Sequence, residues 1–112
     1  MLKREYRLKK KYQFNYVYRV GKSAHGKFFA LVYTPSKNKN VKIGISVSKK
    51  VGNAVQRNRA RRLLRESISQ FFTKLQPNFN IIIVAKQSII GKKQQEIATD
   101  LEYVLQRTEL LK

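Results

Sequence analysis

Val41-Lys42-Ile43-Gly44-Ile45-Ser46-Val47-Ser48-Lys49-Lys50-Val51-Gly52-Asn53-Ala54-Val55-Gln56-Arg57-Asn58-Arg59-Ala60-Arg61-Arg62-Leu63-Leu64-Arg65-Glu66 changes its period once. Up to Ser48 it alternates. Val41, Ile43, Ile45 and Val47 fall on one side of an extended chain and Lys42, Gly44, Ser46 and Ser48 on the other, so a strand with one greasy and one small, polar face is expected. From Asn53 the period becomes helical. Asn53 is a suitable N-cap and Gln56 completes a variant of the capping box. Ala60, Leu63, Leu64, Ile68, Phe71, Phe72 and Leu75 supply an apolar stripe, and Pro77 with Asn78 is expected to end the helix.

The charge on this helix is arranged. At about 100° per residue Arg59, Arg62 and Arg65, with Asn58 between them, lie opposite Ala60, Leu63 and Leu64, and Arg61 lies on the flank. Arg57 falls toward the apolar side and is the arginine expected to have a fixed partner. From Arg57 to Arg65 the cations are all arginine, whose planar fork grips phosphate oxygens in pairs and stacks on bases. Lys49 and Lys50 precede the helix N-terminus, where unpaired N–H groups already favour a phosphate. Gly52 is not part of a Walker loop, because the Gly-x-x-x-x-Gly-Lys spacing is missing.

Outward from this stretch, Phe28 to Thr34 has the aromatic and β-branched content of a strand, closed by Pro35 and a polar loop. With the Val41–Ser48 segment it is expected to form an antiparallel hairpin. Phe14, Val17 and Tyr18 recur at helical spacing between Tyr12 and Val20, with Gly21 at the C-cap position. Ile81 to Ala85 reads as a buried strand, and after Gly91 a last helix carries Ile97, Leu101, Val104 and Leu105. A strand, a helix and another strand in succession imply a crossover with parallel neighbouring strands, right-handed by default. The expectation is a mixed sheet with helices on its greasy face.

The length of 112 residues suits one domain, here 1–112, with residues 1–10 as a basic arm and 108–112 as a loose C-terminus. Lys and Arg number 25 against 6 acids, a formal charge of +19, so an anionic partner is expected. A nucleic-acid backbone gains affinity from counterion release at each neutralised phosphate. A membrane surface fits less well, since there is no Cys to acylate and no Met-Gly start. The apolar run Ile81–Ala85 is too short to span a bilayer, and the basic start is not followed by a signal-peptide core. A cytoplasmic protein is the expectation. His25 is the single histidine, and Glu5, Glu66, Glu96, Asp100, Glu102 and Glu109 read as scattered surface acids, so no catalytic or metal-binding cluster is evident. The polar strand face with Gly44, Ser46 and Ser48 leaves room for an extended chain. Phe14, Tyr18 and Tyr33 are candidates to stack bases along it, although aromatics at these spacings more often belong to the core.

Gly44 to Arg59, with Arg61-Arg62-Leu63-Leu64-Arg65-Glu66, resembles the signature of the bacterial ribonuclease P protein component, whose "RNR" motif matches Arg57-Asn58-Arg59. The resemblance extends to Arg7-Leu8-Lys9-Lys10 with Phe14, to Phe29–Thr34 and to Ile81–Lys86. It implies an α+β sandwich of order α-β-β-β-α-β-α, like the second domain of ribosomal protein S5, with a four-stranded mixed sheet, one strand short, and a left-handed β-α-β crossover in place of the right-handed default. It also implies an RNA-binding subunit that assists a catalytic RNA in removing 5′ leaders from precursor tRNA, with Mg2+ held mainly by that RNA and no obligate protein partner. Carried over by position, Lys49, Lys50, Asn53, Arg57, Asn58, Arg59, Arg61, Arg62 and Arg65 would dock on the catalytic RNA. Phe14, Tyr18, Tyr33, Ser46 and Ser48 would hold the leader. His25-Gly26-Lys27 and Lys86 depart from the family's usual residues and leave fine contacts open. The competing readings are a basic structural ribosomal protein, which shares size and charge, and a stand-alone nuclease, against which the lack of clustered acids speaks.

Overall fold

The computed structural model describes residues 4–112, so Met1, Leu2 and Lys3 of the expected arm lie outside the described residues. Helix α1 (Lys11–Val20) leads into strands β1 (Lys22–His25), β2 (Phe29–Pro35) and β3 (Lys42–Ser46), helix α2 (Ala54–Ser69), strand β4 (Phe79–Ala85) and helix α3 (Gln94–Gln106). The order is α-β-β-β-α-β-α around a four-stranded mixed sheet, β1-β2-β4-β3.

The crossover expectation holds for pairing: β3 and β4 are parallel neighbours, with Ile43 opposite Ile81 and Ile45 opposite Ile83. The expected hairpin of β2 with β3 does not form. β4 lies between them and runs antiparallel to β2 from Phe29 opposite Ala85 to Pro35 opposite Phe79. The reason is burial on two sides: Ile81, Ile82 and Ile83 are all fully buried, and a strand apolar on both faces belongs in the middle of a sheet. The hairpin is made by β1 instead, with Lys22 opposite Tyr33 and His25 opposite Ala30. β1 is short and mostly exposed, so no apolar alternation marks it.

Helices cover both faces, not the greasy one alone. On one side α2 and α3 bring Leu64, Ile68, Ile97, Leu101, Val104 and Leu105 onto Leu31, Tyr33, Ile43, Ile81 and Ile83. On the other, α1 seats Val17 with Leu8 and Ile82, flanked by Phe14, Val32 and Val84. Burying a side chain such as Val17 or Ile82 is worth about 2 kcal/mol, so this second face needs a cover as much as the first. Gly44 permits the close approach, because a Cβ there would stand 2.5 Å from Phe14 Cζ. Gly21 caps α1 with an extended backbone, its N–H donating to the Val17 carbonyl at 2.8 Å. A Cβ on Gly21 would meet that same oxygen at 2.5 Å.

The described part of the expected arm and the C-terminal stretch are docked. The Leu8 N–H donates to the Ile43 carbonyl at 3.0 Å, Arg7 forms a parallel bridge to Ile43, and the Tyr6 ring lies 4.6 Å from that of Phe72. At the other end Leu110 is fully buried, the Gln76 N–H donates to its carbonyl at 2.7 Å, and Leu111 bridges Leu75. The apolar Leu110-Leu111 pair is what draws this end in. Helix α2 stops at Ser69, earlier than Pro77 suggests. The Ser69 hydroxyl donates to the Arg65 carbonyl at 2.7 Å, and the N–H groups of Phe71 and Lys74 bond three residues back, tightening the chain so that Leu75 reaches Leu111. Asp100 is not a surface acid either. It is buried and accepts the N–H groups of Lys27 at 2.8 Å and Phe28 at 3.2 Å, pinning the β1–β2 turn to α3.

The capping box of α2 is as expected: the Gln56 N–H donates to Asn53 Oδ1 and the Asn53 N–H to Gln56 Oε1, both at 2.9 Å. Asn53→Ala is expected to lower stability by about 1 kcal/mol, seen as an earlier midpoint in urea with an unchanged slope.

Candidate nucleic-acid interface

The outward side of α2 begins where the 3-10 turn Lys49–Val51 delivers the chain to Asn53. Val51 anchors that turn in the core, and Ser48, Lys49 and Lys50 are left exposed just before the helix N-terminus. Arg59 and Arg62 are exposed with Asn58, while Arg57, Arg61 and Arg65, each one turn from the next, are half-buried along the side of the helix. The Arg57 guanidinium donates to the Gly52 carbonyl at 3.4 Å, a long bond that steadies it at the helix start. Arg61 donates to Asn58 Oδ1 at 2.8 Å. Two of the expected site residues therefore also have structural tasks: Asn53 caps the helix and Asn58 orients Arg61.

Burial lowers the pKa of Arg65, and the neighbouring guanidiniums of Arg7 and then Arg61 lower it further. The group stays charged. The direction nevertheless reports a convergence of cations, with the N-terminal segment at the β3 edge adding Arg7 to the helix arginines. No carboxylate among the described residues pairs with an arginine of α2. An arrangement of this kind attracts an anion with several oxygens, since each arginine fork of α2 supplies parallel donors.

The opposite face of the sheet, under α1, carries the other candidates. Phe14 lies over Gly44, Ser46 is half-buried two residues along the same side of β3, and Tyr18, one turn after Phe14, is 43% exposed. Phe14 and Tyr18 thus share one side of α1, and Gly44 and Ser46 one face of β3. Ser48 lies beyond the strand and is exposed. Tyr33 does not join them. It is 7% exposed on the α2–α3 side, edge-on to Phe79 at 6.2 Å between ring centres. Its neighbour Val32 faces α1 instead. The run Phe29–Thr34 is apolar at both parities, so its composition does not tell which residues face which side. The signal available was its register: Tyr33 pairs with Ile81, whereas Val32 pairs with Ile82, the residue under α1.

Tyr12 and Tyr16, not singled out by the sequence reading, are exposed on α1 beside Lys10 and Arg19, and Lys86, noted there as a departure, donates its ammonium to the Gly26 carbonyl at 2.7 Å. Among the described residues no three His, Asp or Glu side chains gather to hold a metal ion, and no helix is long and apolar enough to cross a membrane.

The family model for Ribonuclease P matches residues 2–109. A ribonuclease P protein component from an Exiguobacterium species is 36% identical over 97% of this chain and 95% of its own length. One from a Nitratiruptor species is 41% identical over 89% of each. The RNase P protein of Staphylococcus aureus superposes with a TM-score of 0.86 at 32% identity, covering 96% of this chain and 98% of that one.

Proposed function

Because the chain belongs to the ribonuclease P family, the protein components of the enzyme that processes tRNA 5′ ends, we propose that it serves that enzyme as a two-sided RNA clamp. The arginine side of α2 docks on the catalytic RNA through Lys49, Lys50, Arg57, Arg59, Arg61, Arg62 and Arg65, with Asn53 and Asn58 holding the helix start and the Arg61 fork. The trough under α1 takes the single-stranded 5′ leader of the precursor, with Phe14 and Tyr18 against its bases and Ser46 and Ser48 along its path. The observation that carries this reading is the pairing of α2 arginines, none of them ion-paired with a described carboxylate, with Phe14 and the exposed Tyr18 ring of α1 on the opposite face of the sheet.

The mechanism is differential binding. Contacts to a leader exist only before cleavage, so they hold the precursor more tightly than the mature product. The protein's cations also screen phosphate repulsion between the two RNAs. Magnesium (Mg2+) is expected to be held by the RNA, because the described carboxylates are too dispersed to fit such an ion. Bound to that RNA, the cation would supply Lewis-acid and nucleophile-activating chemistry, while this chain positions the substrate. The reading places the protein in the cytoplasm with its RNA partners.

Tyr18→Ala tests the trough. Stacking on an aromatic ring contributes about 1–3 kcal/mol per base, so the reconstituted holoenzyme should lose roughly tenfold in affinity for leader-bearing precursor and nothing for mature tRNA. Equal affinity of wild type for precursors with and without a leader would sink the proposal.

A further inference from the structure

Four of the six large apolar side chains left exposed in the described structure lie on α1: Tyr12 at 66%, Tyr16 at 49%, Tyr18 at 43% and Val20 at 48%. Tyr18 belongs to the leader trough already proposed. Tyr12 and Tyr16 do not. At helical spacing they fall on the other side of Val17 from Phe14 and Tyr18, one turn apart from each other. They border a second groove of about 530 Å³, which Gln13, Asn15, Arg19 and Asn80 complete.

The chemistry of this groove is uniform. The Lys10 ammonium sits 5.9 Å from the Tyr12 ring centre and the Arg19 guanidinium 5.8 Å from that of Tyr16. The floor is amide: Asn80 Oδ1 accepts from Asn38 Nδ2 at 3.1 Å, and Lys42 stands opposite Asn80 in the register of β3 and β4. No acid lines it. Exposed aromatic faces next to cations and amide groups match unpaired nucleotides, whose bases stack, whose edges hydrogen-bond and whose phosphates need counter-charge.

We infer that the Tyr12–Tyr16 flank of α1 is a second stacking site for single-stranded RNA, occupied by the part of the precursor leader farther from the cleavage point. This rests on the clamp reading above. The leader is favoured over the catalytic RNA by position: α1 covers the sheet face opposite α2, so a strand already lying in the Phe14 trough reaches the second flank by passing a helix only about 10–12 Å across. A longer leader would then bind more tightly than one that ends in the trough.

The test uses holoenzyme reconstituted with the catalytic RNA and precursors whose leaders either end within the trough or extend well beyond it. The doubly substituted Tyr12→Ala, Tyr16→Ala protein should lose about 10- to 100-fold in affinity for the long-leader precursor and leave the short-leader affinity unchanged. Tyr12→Phe with Tyr16→Phe should keep wild-type binding, since the ring and not the hydroxyl does the stacking. Both tyrosines lie outside the core, so circular dichroism should show an intact fold. An equal loss for both precursors, a loss of assembly with the catalytic RNA, or no change for the long leader each overturns the inference. If Tyr18→Ala still weakens the short-leader precursor in those cases, the clamp survives and only the second site falls.

Discussion

Replacing Arg59, Arg62 and Arg65 together by glutamine is expected to lower affinity for the catalytic RNA by about a thousandfold or more at low salt. A hydrogen bond to a charged group is worth about 1.5–3 kcal/mol when its partner is removed, and three such forks are lost together. Salt dependence supplies a second reading of the same event. Each neutralised phosphate contributes roughly −0.7 to −0.9 to the slope of log affinity against log salt, so the variant's slope should be shallower by about 2 to 3. Glutamine is a good helix former and Arg59 and Arg62 are exposed, so the helix itself should persist. Arg57 and Arg61 remain as internal controls, the first bonded to Gly52 and the second to Asn58. Wild-type assembly and an unchanged slope in the triple variant would mean that this side of α2 is not the docking surface.

Gly44→Val should be the most damaging single substitution in the trough. A Cβ there stands 2.5 Å from Phe14 Cζ and 3.2 Å from Leu8 Cβ, and valine adds two methyl groups to that collision. Phe14 cannot yield without lifting α1, because Val17 three residues on is fully buried against the same sheet face. Overpacking of this kind costs about 3 kcal/mol, which should show as a lower urea midpoint, and precursor discrimination should fall with it. The arginine side of α2 lies across the sheet, so binding of the catalytic RNA should survive under conditions where the variant is folded. Adding Phe14→Leu should recover part of the stability, and that recovery in a double-mutant cycle would localise the damage to this pair. A Gly44→Val protein as stable as wild type would show that α1 does not press on β3 as described.

How legible each feature is depends on how far apart its partners lie in the chain. Asn53 and Gln56 exchange bonds across three residues, and the arginines of α2 are spaced by the helix alone, so the middle helix and its cation face can be read directly from the residues. The last helix is equally plain, because Ile97, Leu101, Val104 and Leu105 repeat its period and all four are fully buried. The resemblance added the four-stranded order, which composition had not yielded because β1 carries Lys22, Ser23 and His25 and no apolar pattern. The face on which Tyr33 lies was not legible for a related reason: a strand apolar on both faces does not announce its parity.

Residue order by itself determined the helices, three of the four strand segments, the parallel direction of the crossover pair and the excess of positive charge, since these rest on bonds and spacings within a few residues. Only the tertiary structure decided that β4 separates β2 from β3, that Tyr33 faces away from α1, and that Arg7 and Leu111 are bridged to the rest of the fold. Those outcomes join residues far apart along the chain. They are selected by which surfaces most need to leave water, and the twice-buried isoleucines of β4 prevail in that competition over any pairing between adjacent strands.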